Sequence, residues 1–207
     1  SVAKWNLGCL GGAIAPLLKG QEELVKMLET YDDVFWSEHY RMMGNKIGLD
    51  AIRQDDIKLF NDLEKTLRII QPDMTIFYQL LIDLPSDVNS KEDVVDHFNE
   101  AFYEQVSAEE ARPLFDWIKT YTERICTNKI TREESKLLMR KTSPRFILRN
   151  YLLHQSIEDL EKGDDGLFVK LQEAMKEPYS GNHDEFFKKR PEWATEKAGC
   201  SQLSCSS

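Results

Sequence analysis

Apolar side chains recur at three- and four-residue spacing along most of the chain, up to about residue 176. This spacing puts them on one face of an α-helix, so it predicts helices that each bury an apolar face. No stretch shows the sustained apolar–polar alternation that predicts a β-strand. The sequence therefore predicts an all-α fold. The apolar stripes fall at residues 24–43, 57–70, 76–81, 94–102, 114–125, 137–138, 147–160 and 167–175.

Short polar signals mark where several of these helices should begin. A Ser or Thr followed three positions later by an acidic residue can form a capping box, in which each side chain bonds the other residue's backbone N–H. Pro113 is expected to kink or restart its helix, and Pro144, directly after Ser143, to occupy the first turn of a strong helix. Three pairs fit the capping pattern: Ser90 with Asp93, Ser107 with Glu110, and Thr131 with Glu134.

The character of the chain changes after Glu177. We predict a helical region over residues 1–177 and an irregular tail over residues 178–207, because Pro and Gly punctuate the tail and its periodicity is weak. Its aromatic residues Phe186, Phe187 and Trp193 suggest that part of the tail packs back on the helices.

The charge balance and the length of the apolar stretches exclude two kinds of interaction. The chain has 36 acidic and 27 basic side chains, for a formal net charge of −9. Such a surface repels phosphates, so we expect no nucleic-acid partner. The apolar stretches are far shorter than the roughly 20 residues that cross a bilayer, so we expect no membrane span.

No motif for catalysis, cofactor binding or metal binding is found. The glycine-rich run Gly8-Cys9-Leu10-Gly11-Gly12 lacks the spacing and the Lys-Ser or Lys-Thr of a phosphate loop. We expect it to serve a close helix–helix contact or a helix break. The four histidines are far apart and have no second His or Cys at metal-binding spacing. We therefore assign no catalytic, cofactor-binding or metal-ligand residue.

Two polar residues stand out within an apolar segment. Arg149 and Asn150 follow Phe146, Ile147 and Leu148. If buried, their donors need carboxylate or carbonyl partners. They could form an interior polar network that joins helices, or a ligand site. The pattern favours the structural network.

Two cysteines near the end are the redox candidates. Cys205 is third from the end of the chain and lies between serines, and Cys200 precedes it by five positions. This is not a C-x-x-C redox motif. A terminal thiol is accessible for disulfide exchange, but the nearby carboxylate should raise its pKa and lower its reactivity. Spacing alone favours an inert thiol and leaves a functional one open.

Five short segments occur in an order and spacing that span essentially the whole chain. They are Trp5-Asn6-Leu7, Pro144-Arg145-Phe146-Ile147-Leu148-Arg149-Asn150-Tyr151, Arg190-Pro191-Glu192-Trp193-Ala194, Ser204-Cys205-Ser206-Ser207 and, more weakly, Met43-x-x-Lys46-x-Gly48-Leu49. Together these segments resemble the selenoprotein O (SelO) family. In family members the segment that matches Ser204-Cys205-Ser206-Ser207 holds selenocysteine or cysteine before two final serines.

The resemblance implies a protein-kinase-like fold that binds ATP and Mg²⁺ and transfers AMP to Ser, Thr or Tyr hydroxyls of proteins. The family's catalytic residues precede the point where this chain begins, so the resemblance implies that this part is its multi-helix C-terminal region, inactive alone and binding neither ATP nor Mg²⁺. The implied partners are an upstream kinase-like domain of the same protein and the protein substrates. The family's terminal Cys or selenocysteine is associated with redox control, and only Cys205 matches that position. The family suggests a mitochondrial location, or a cytoplasmic one in a bacterium.

Two other interpretations remain open from the residues. The chain could be a freestanding helical interaction module, or a thiol redox protein acting through Cys205. A large exposed apolar face would favour a part of a larger protein over a self-sufficient module. Turnover of a small disulfide substrate would favour the redox protein.

Overall fold

The computed structural model describes residues 2–18, 22–85, 88–197 and 200. The regular secondary structure of these residues consists of helices alone, without a β-strand, so the all-α prediction is confirmed. None of the described helices combines the length and apolarity needed to cross a membrane. The α-helices are Val2–Ile14 (α1), Glu22–Lys46 (α2), Asp56–Ile70 (α3), Met74–Ile82 (α4), Lys91–Phe98 (α5), Arg112–Ile125 (α6), Arg132–Thr142 (α7), Asn150–Glu161 (α8), Gly166–Lys176 (α9) and Trp193–Glu196 (α10).

The chain divides into two compact units, residues 1–43 and 44–207. The division at residue 177 that the sequence suggested stays a prediction.

The first unit contains α1 and most of α2. Its α1 helix runs without interruption through Gly8, Gly11 and Gly12, so the expected helix break is wrong. A Cβ atom added at Gly11 would lie 3.9 Å from Leu24 Cδ1, an ordinary contact distance, and Gly8 and Gly12 face open space. The glycines therefore produce no close helix contact in the described residues either.

The second unit is built around a core of five helices. Helix α3 packs against α6, and α4 contacts both α5 and α7. These helices bury the apolar stripes that the sequence pattern shows, as expected for amphipathic helices around a common core. Fully buried side chains in this core include Leu63, Phe77, Leu81, Phe98, Leu114, Tyr121 and Met139.

A separate cluster of the second unit joins α8 and α9 to the segment after them. Phe146, Leu171 and Phe186 are buried there together with Ala194 and Cys200. The prediction that part of the tail packs back on the helices is thus confirmed for Phe186, and Trp193, although 44% exposed, lies against Tyr151 of α8.

The helix-start signals are partly confirmed. The capping boxes at Ser90 and Thr131 form with both reciprocal hydrogen bonds. Ser107 and Glu110 also bond each other, but α6 begins only at Arg112. Pro113 lies in the first turn of α6, so it restarts the helix as one of the two expected outcomes.

The helix expected to start at Pro144 starts later. The N–H groups of Arg145 and Phe146 donate to the carbonyl oxygen of Pro178 at 2.8 and 3.0 Å, which ties this segment to the residues after α9. Arg149 has an extended backbone with φ −83° and ψ 143°, and α8 begins at Asn150. The predicted start at Pro144 is therefore wrong, because long-range backbone hydrogen bonds hold the segment in a non-helical conformation.

Candidate functional site

Arg149 forms a buried ion pair with Asp73. Its Nη1 donates to Asp73 Oδ2 at 2.5 Å and its Nη2 to Asp73 Oδ1 at 2.9 Å, so the contact is bidentate. The two side chains are only 11% and 2% exposed. A planar guanidinium matches the two oxygens of a carboxylate in this arrangement, which makes the contact both strong and directional.

Asp73 is held by further hydrogen bonds of its side chain and its backbone. It is the N-cap of α4, and its Oδ1 accepts from the backbone N–H of Ile76 at 3.2 Å. Its Oδ2 accepts from the Tyr103 hydroxyl at 2.8 Å. Its own backbone N–H donates to the Ala101 carbonyl at 2.7 Å. The carboxylate therefore joins α4, the segment after α5 and the start of α8.

The electrostatics keep this pair charged. Burial alone would raise the pKa of Asp73, but the hydrogen bonds from Arg149 and Tyr103 outweigh it and hold the pKa below its usual value. Burial would lower the pKa of Arg149, yet its bonds to Asp73 raise it. Burial and the neighbouring carboxylate both raise the pKa of Tyr103, so it stays a neutral donor at physiological pH.

Residues 189–193 contact the residues that surround the Asp73–Arg149 pair. The Arg190 guanidinium carbon lies 5.4 Å from the centre of the Tyr103 ring. Lys189 Nζ donates to the Phe102 carbonyl at 2.5 Å. The ring of Trp193 meets that of Tyr151 edge-on at 6.1 Å. Two of the segments singled out in the sequence, 144–151 and 190–194, thus meet around the Asp73–Arg149 pair.

The other predicted site residues lie elsewhere. Asn150 is exposed at the first residue of α8, and its side chain makes no hydrogen bond to any described residue. Cys200 is a buried free thiol packed with Phe146 and Phe186. Cys205 lies outside the described residues. The structure therefore brings Arg149 into a network and leaves Asn150 out of it.

Sequence reasoning missed a second buried network. Arg124, in α6, bonds Asp56 through Nε at 2.6 Å and Nη2 at 3.0 Å. Its Nη2 also donates to the Ala51 carbonyl at 2.8 Å, and its Nη1 to Asn128 Oδ1 at 2.9 Å. No local signal points to this pair, because 68 positions separate its two members.

One glycine near this second network is required by its surroundings. Gly48 has φ +77°, and a Cβ atom there would lie 2.3 Å from Ser135 Oγ. Its carbonyl accepts from Ser135 Oγ at 2.7 Å and from Asn128 Nδ2 at 2.8 Å. The spacing Met43-x-x-Lys46-x-Gly48-Leu49 was the signal that could have drawn attention to this turn.

The cavity beside the network does not expose the paired charges. A cavity of about 470 Å³ beside the network is lined by Tyr103 and Arg190, but not by Arg149 or Asp73. Among the described residues, no three His, Cys, Asp or Glu side chains lie close enough together to hold a metal ion. The site is thus an internal ion pair in which both terminal nitrogens of Arg149 and both carboxylate oxygens of Asp73 have hydrogen-bond partners.

Comparisons with known proteins give the family. The sequence model of the family described as "Protein adenylyltransferase SelO" matches residues 1–176. The protein nucleotidyltransferase YdiU of Cytophaga hutchinsonii is 52% identical over 207 residues, covering 100% of this chain and 40% of that protein. Proteins of the same name from Xanthomonas euvesicatoria and Rhodopirellula baltica are 37% and 35% identical, again over 100% of this chain. The chain spans about 40% of the length of these relatives. It belongs to the SelO family of protein adenylyltransferases.

Proposed function

We propose that this chain is the helical C-terminal part of a longer protein adenylyltransferase that transfers AMP from ATP to Ser, Thr or Tyr hydroxyls of proteins. In this proposal the part is structural and redox-regulatory and carries no catalytic residue. The observation that supports it best is the bidentate Arg149–Asp73 pair, since the most distinctive polar residue of the family-like segment bonds inside the fold.

The geometry favours a structural role for Arg149 over a ligand-binding one. A guanidinium that binds a nucleotide phosphate must present its donors to the ligand. Both terminal nitrogens of Arg149 donate to Asp73, and burial hides the pair from water. Displacing Arg149 towards a ligand would leave the Asp73 carboxylate buried with only Tyr103 and Ile76 as partners, which is costly.

The cofactors and partners proposed for the longer protein follow from family membership. ATP and Mg²⁺ would be held by an upstream kinase-like domain, and proteins would be the substrates. The reported relatives are bacterial, so the mitochondrial location expected above has no support from them. We propose the cytoplasm as the compartment instead.

The first prediction is that this chain alone neither binds ATP–Mg²⁺ tightly nor transfers AMP. Phosphate chemistry needs positioned cations and metal, and neither a phosphate loop nor a metal-ligand motif was found in the sequence. Isothermal titration with ATP and Mg²⁺ is expected to give no saturable heat, with the longer protein as the positive control. A saturable, metal-dependent signal in the micromolar range from the chain alone would contradict the proposal.

The redox part of the proposal concerns Cys205. Because Cys200 is packed in an apolar cluster, where a thiol acts as a small apolar group, we assign disulfide exchange to Cys205. In the oxidised longer protein, Cys205 is expected to be bonded to a cysteine of the upstream domain. Peptide mapping without reductant is the measurement, with Cys205→Ser as the control. Finding Cys205 bonded only to Cys200, or still free, would rule out the long-range bond.

A further inference from the structure

Helix α1 is almost wholly apolar in sequence, yet none of its residues is buried. Its 13 residues contain a single charged side chain, Lys4. Trp5 is 70% exposed and Leu10 is 57% exposed. A helix that is apolar all round normally lies in the interior of a larger fold.

Helix α2 extends this exposed surface with aromatic rings. Tyr31 stacks on Phe35 at 6.0 Å, Phe35 meets Trp36 edge-on at 5.3 Å, and Trp36 stacks on Tyr40 at 5.8 Å. Phe35, Trp36 and the neighbouring Val34 are exposed, and the only buried residue of α2 is Gly44, beyond the end of the first unit. The second unit differs, because α3 and α6 bury their apolar stripes against each other.

We propose that the exposed apolar faces of α1 and of residues 22–43 of α2 are the docking surface for the remainder of the longer polypeptide. The occupant is the upstream kinase-like domain, an identification that rests on the proposed function. Residues 1–43 would complete the hydrophobic core of that domain. It places the boundary between that domain and the helical C-terminal domain at residues 43 and 44, where the contacts divide the chain.

Two observations select this occupant. The relatives are more than twice as long as this chain, so the larger part of each lies outside the matched region. The exposed apolar side chains of α1, among them Trp5, Leu7 and Leu10, also occupy more than one stripe of the helix, and only the side with Lys4 and Gly11 faces α2. A single partner helix covers one stripe, whereas covering the remaining sides of a helix requires a folded domain. A freestanding module would have to leave this surface in water, which self-sufficient domains avoid.

A matched pair of substitutions tests the proposal. Leu10→Glu places a charge on the proposed docking surface, and Leu137→Glu places one on α7, where the side chain is similarly exposed at 53%. In this chain alone, neither change is expected to move the melting midpoint of the second unit. In the longer protein, Leu10→Glu is expected to lower the midpoint by roughly 5 °C or more, and Leu137→Glu to leave it unchanged. Equal effects of the two variants in the longer protein would overturn the proposal.

Hydrogen exchange of the unmodified proteins gives a second readout that needs no variant. Backbone amides of α1 and of residues 22–43 are expected to exchange at least about 100-fold more slowly in the longer protein than in this chain. Equal exchange would overturn the docking surface. Both measurements report stability and not catalysis. A longer protein that protects these helices but transfers no AMP would refute only the proposed activity, and one that transfers AMP without protecting them would refute only the docking.

Discussion

Replacing Arg149 with methionine is expected to lower the free energy of unfolding of this chain by about 3–5 kcal/mol. The substitution keeps much of the side-chain volume but removes the charge and both hydrogen bonds to Asp73. Asp73 is 2% exposed, so its carboxylate would remain buried without its main counter-charge. The loss reflects this stranded charge more than the net value of the pair. Urea unfolding followed by circular dichroism is the measurement.

Arg145→Met is the matched control. Arg145 also makes a bidentate contact with an aspartate, Asp184, but the two side chains are 30% and 55% exposed. Water screens such a pair, so its removal is expected to cost less than about 1 kcal/mol. Similar losses for both variants, or an unchanged midpoint for Arg149→Met, would contradict the buried network at Asp73.

Replacing Arg124 with methionine is expected to have an effect of the same size, about 3–5 kcal/mol. Asp56 is 2% exposed and Arg124 10% exposed, and the guanidinium also bonds the Ala51 carbonyl and Asn128. Its removal would strand the Asp56 carboxylate and release the segment before α3 from α6. The measurement is again the urea midpoint of the chain.

Arg68→Met is the control for this second network. Arg68 pairs with Glu64 on the surface of α3, where both side chains are mostly exposed. Pairs four residues apart on a helix surface contribute about 0.3–0.5 kcal/mol. If Arg124→Met cost no more than Arg68→Met, the Asp56–Arg124 pair would not be holding these segments together.

The sequence was sufficient to predict the features that depend on residues close together along the chain. The apolar stripe at 57–70 predicts α3, and the helix ends at Ile70, where the stripe ends. The capping boxes at Ser90 and Thr131 were predicted because both partners lie within one helical turn. The resemblance to the SelO family was likewise carried by short segments in a fixed order.

The sequence was insufficient to predict contacts between residues that lie far apart along the chain. The segment 144–151 showed that Arg149 needs a partner if buried, but not that Asp73, 76 positions earlier, supplies it. The helix predicted from Pro144 failed for the same reason, because Pro178 accepts the N–H groups of the next two residues. Asp56 and Arg124 gave no signal, since neither lies in a recognisable motif. Pairing of charges across a fold depends on how helices pack, which local periodicity does not specify.

The most direct test of a structural role for Arg149 measures AMP transfer by the longer protein with Arg149→Met, beside Arg145→Met, at a temperature where both are folded. The proposal predicts an unchanged KM for ATP in both variants, with a lowered melting midpoint for Arg149→Met alone. A KM for ATP raised about tenfold by Arg149→Met, with kcat and the midpoint unchanged, would mean a loss of about 1.4 kcal/mol of nucleotide binding. That result would make Arg149 a ligand-binding residue and contradict the structural role proposed for this chain.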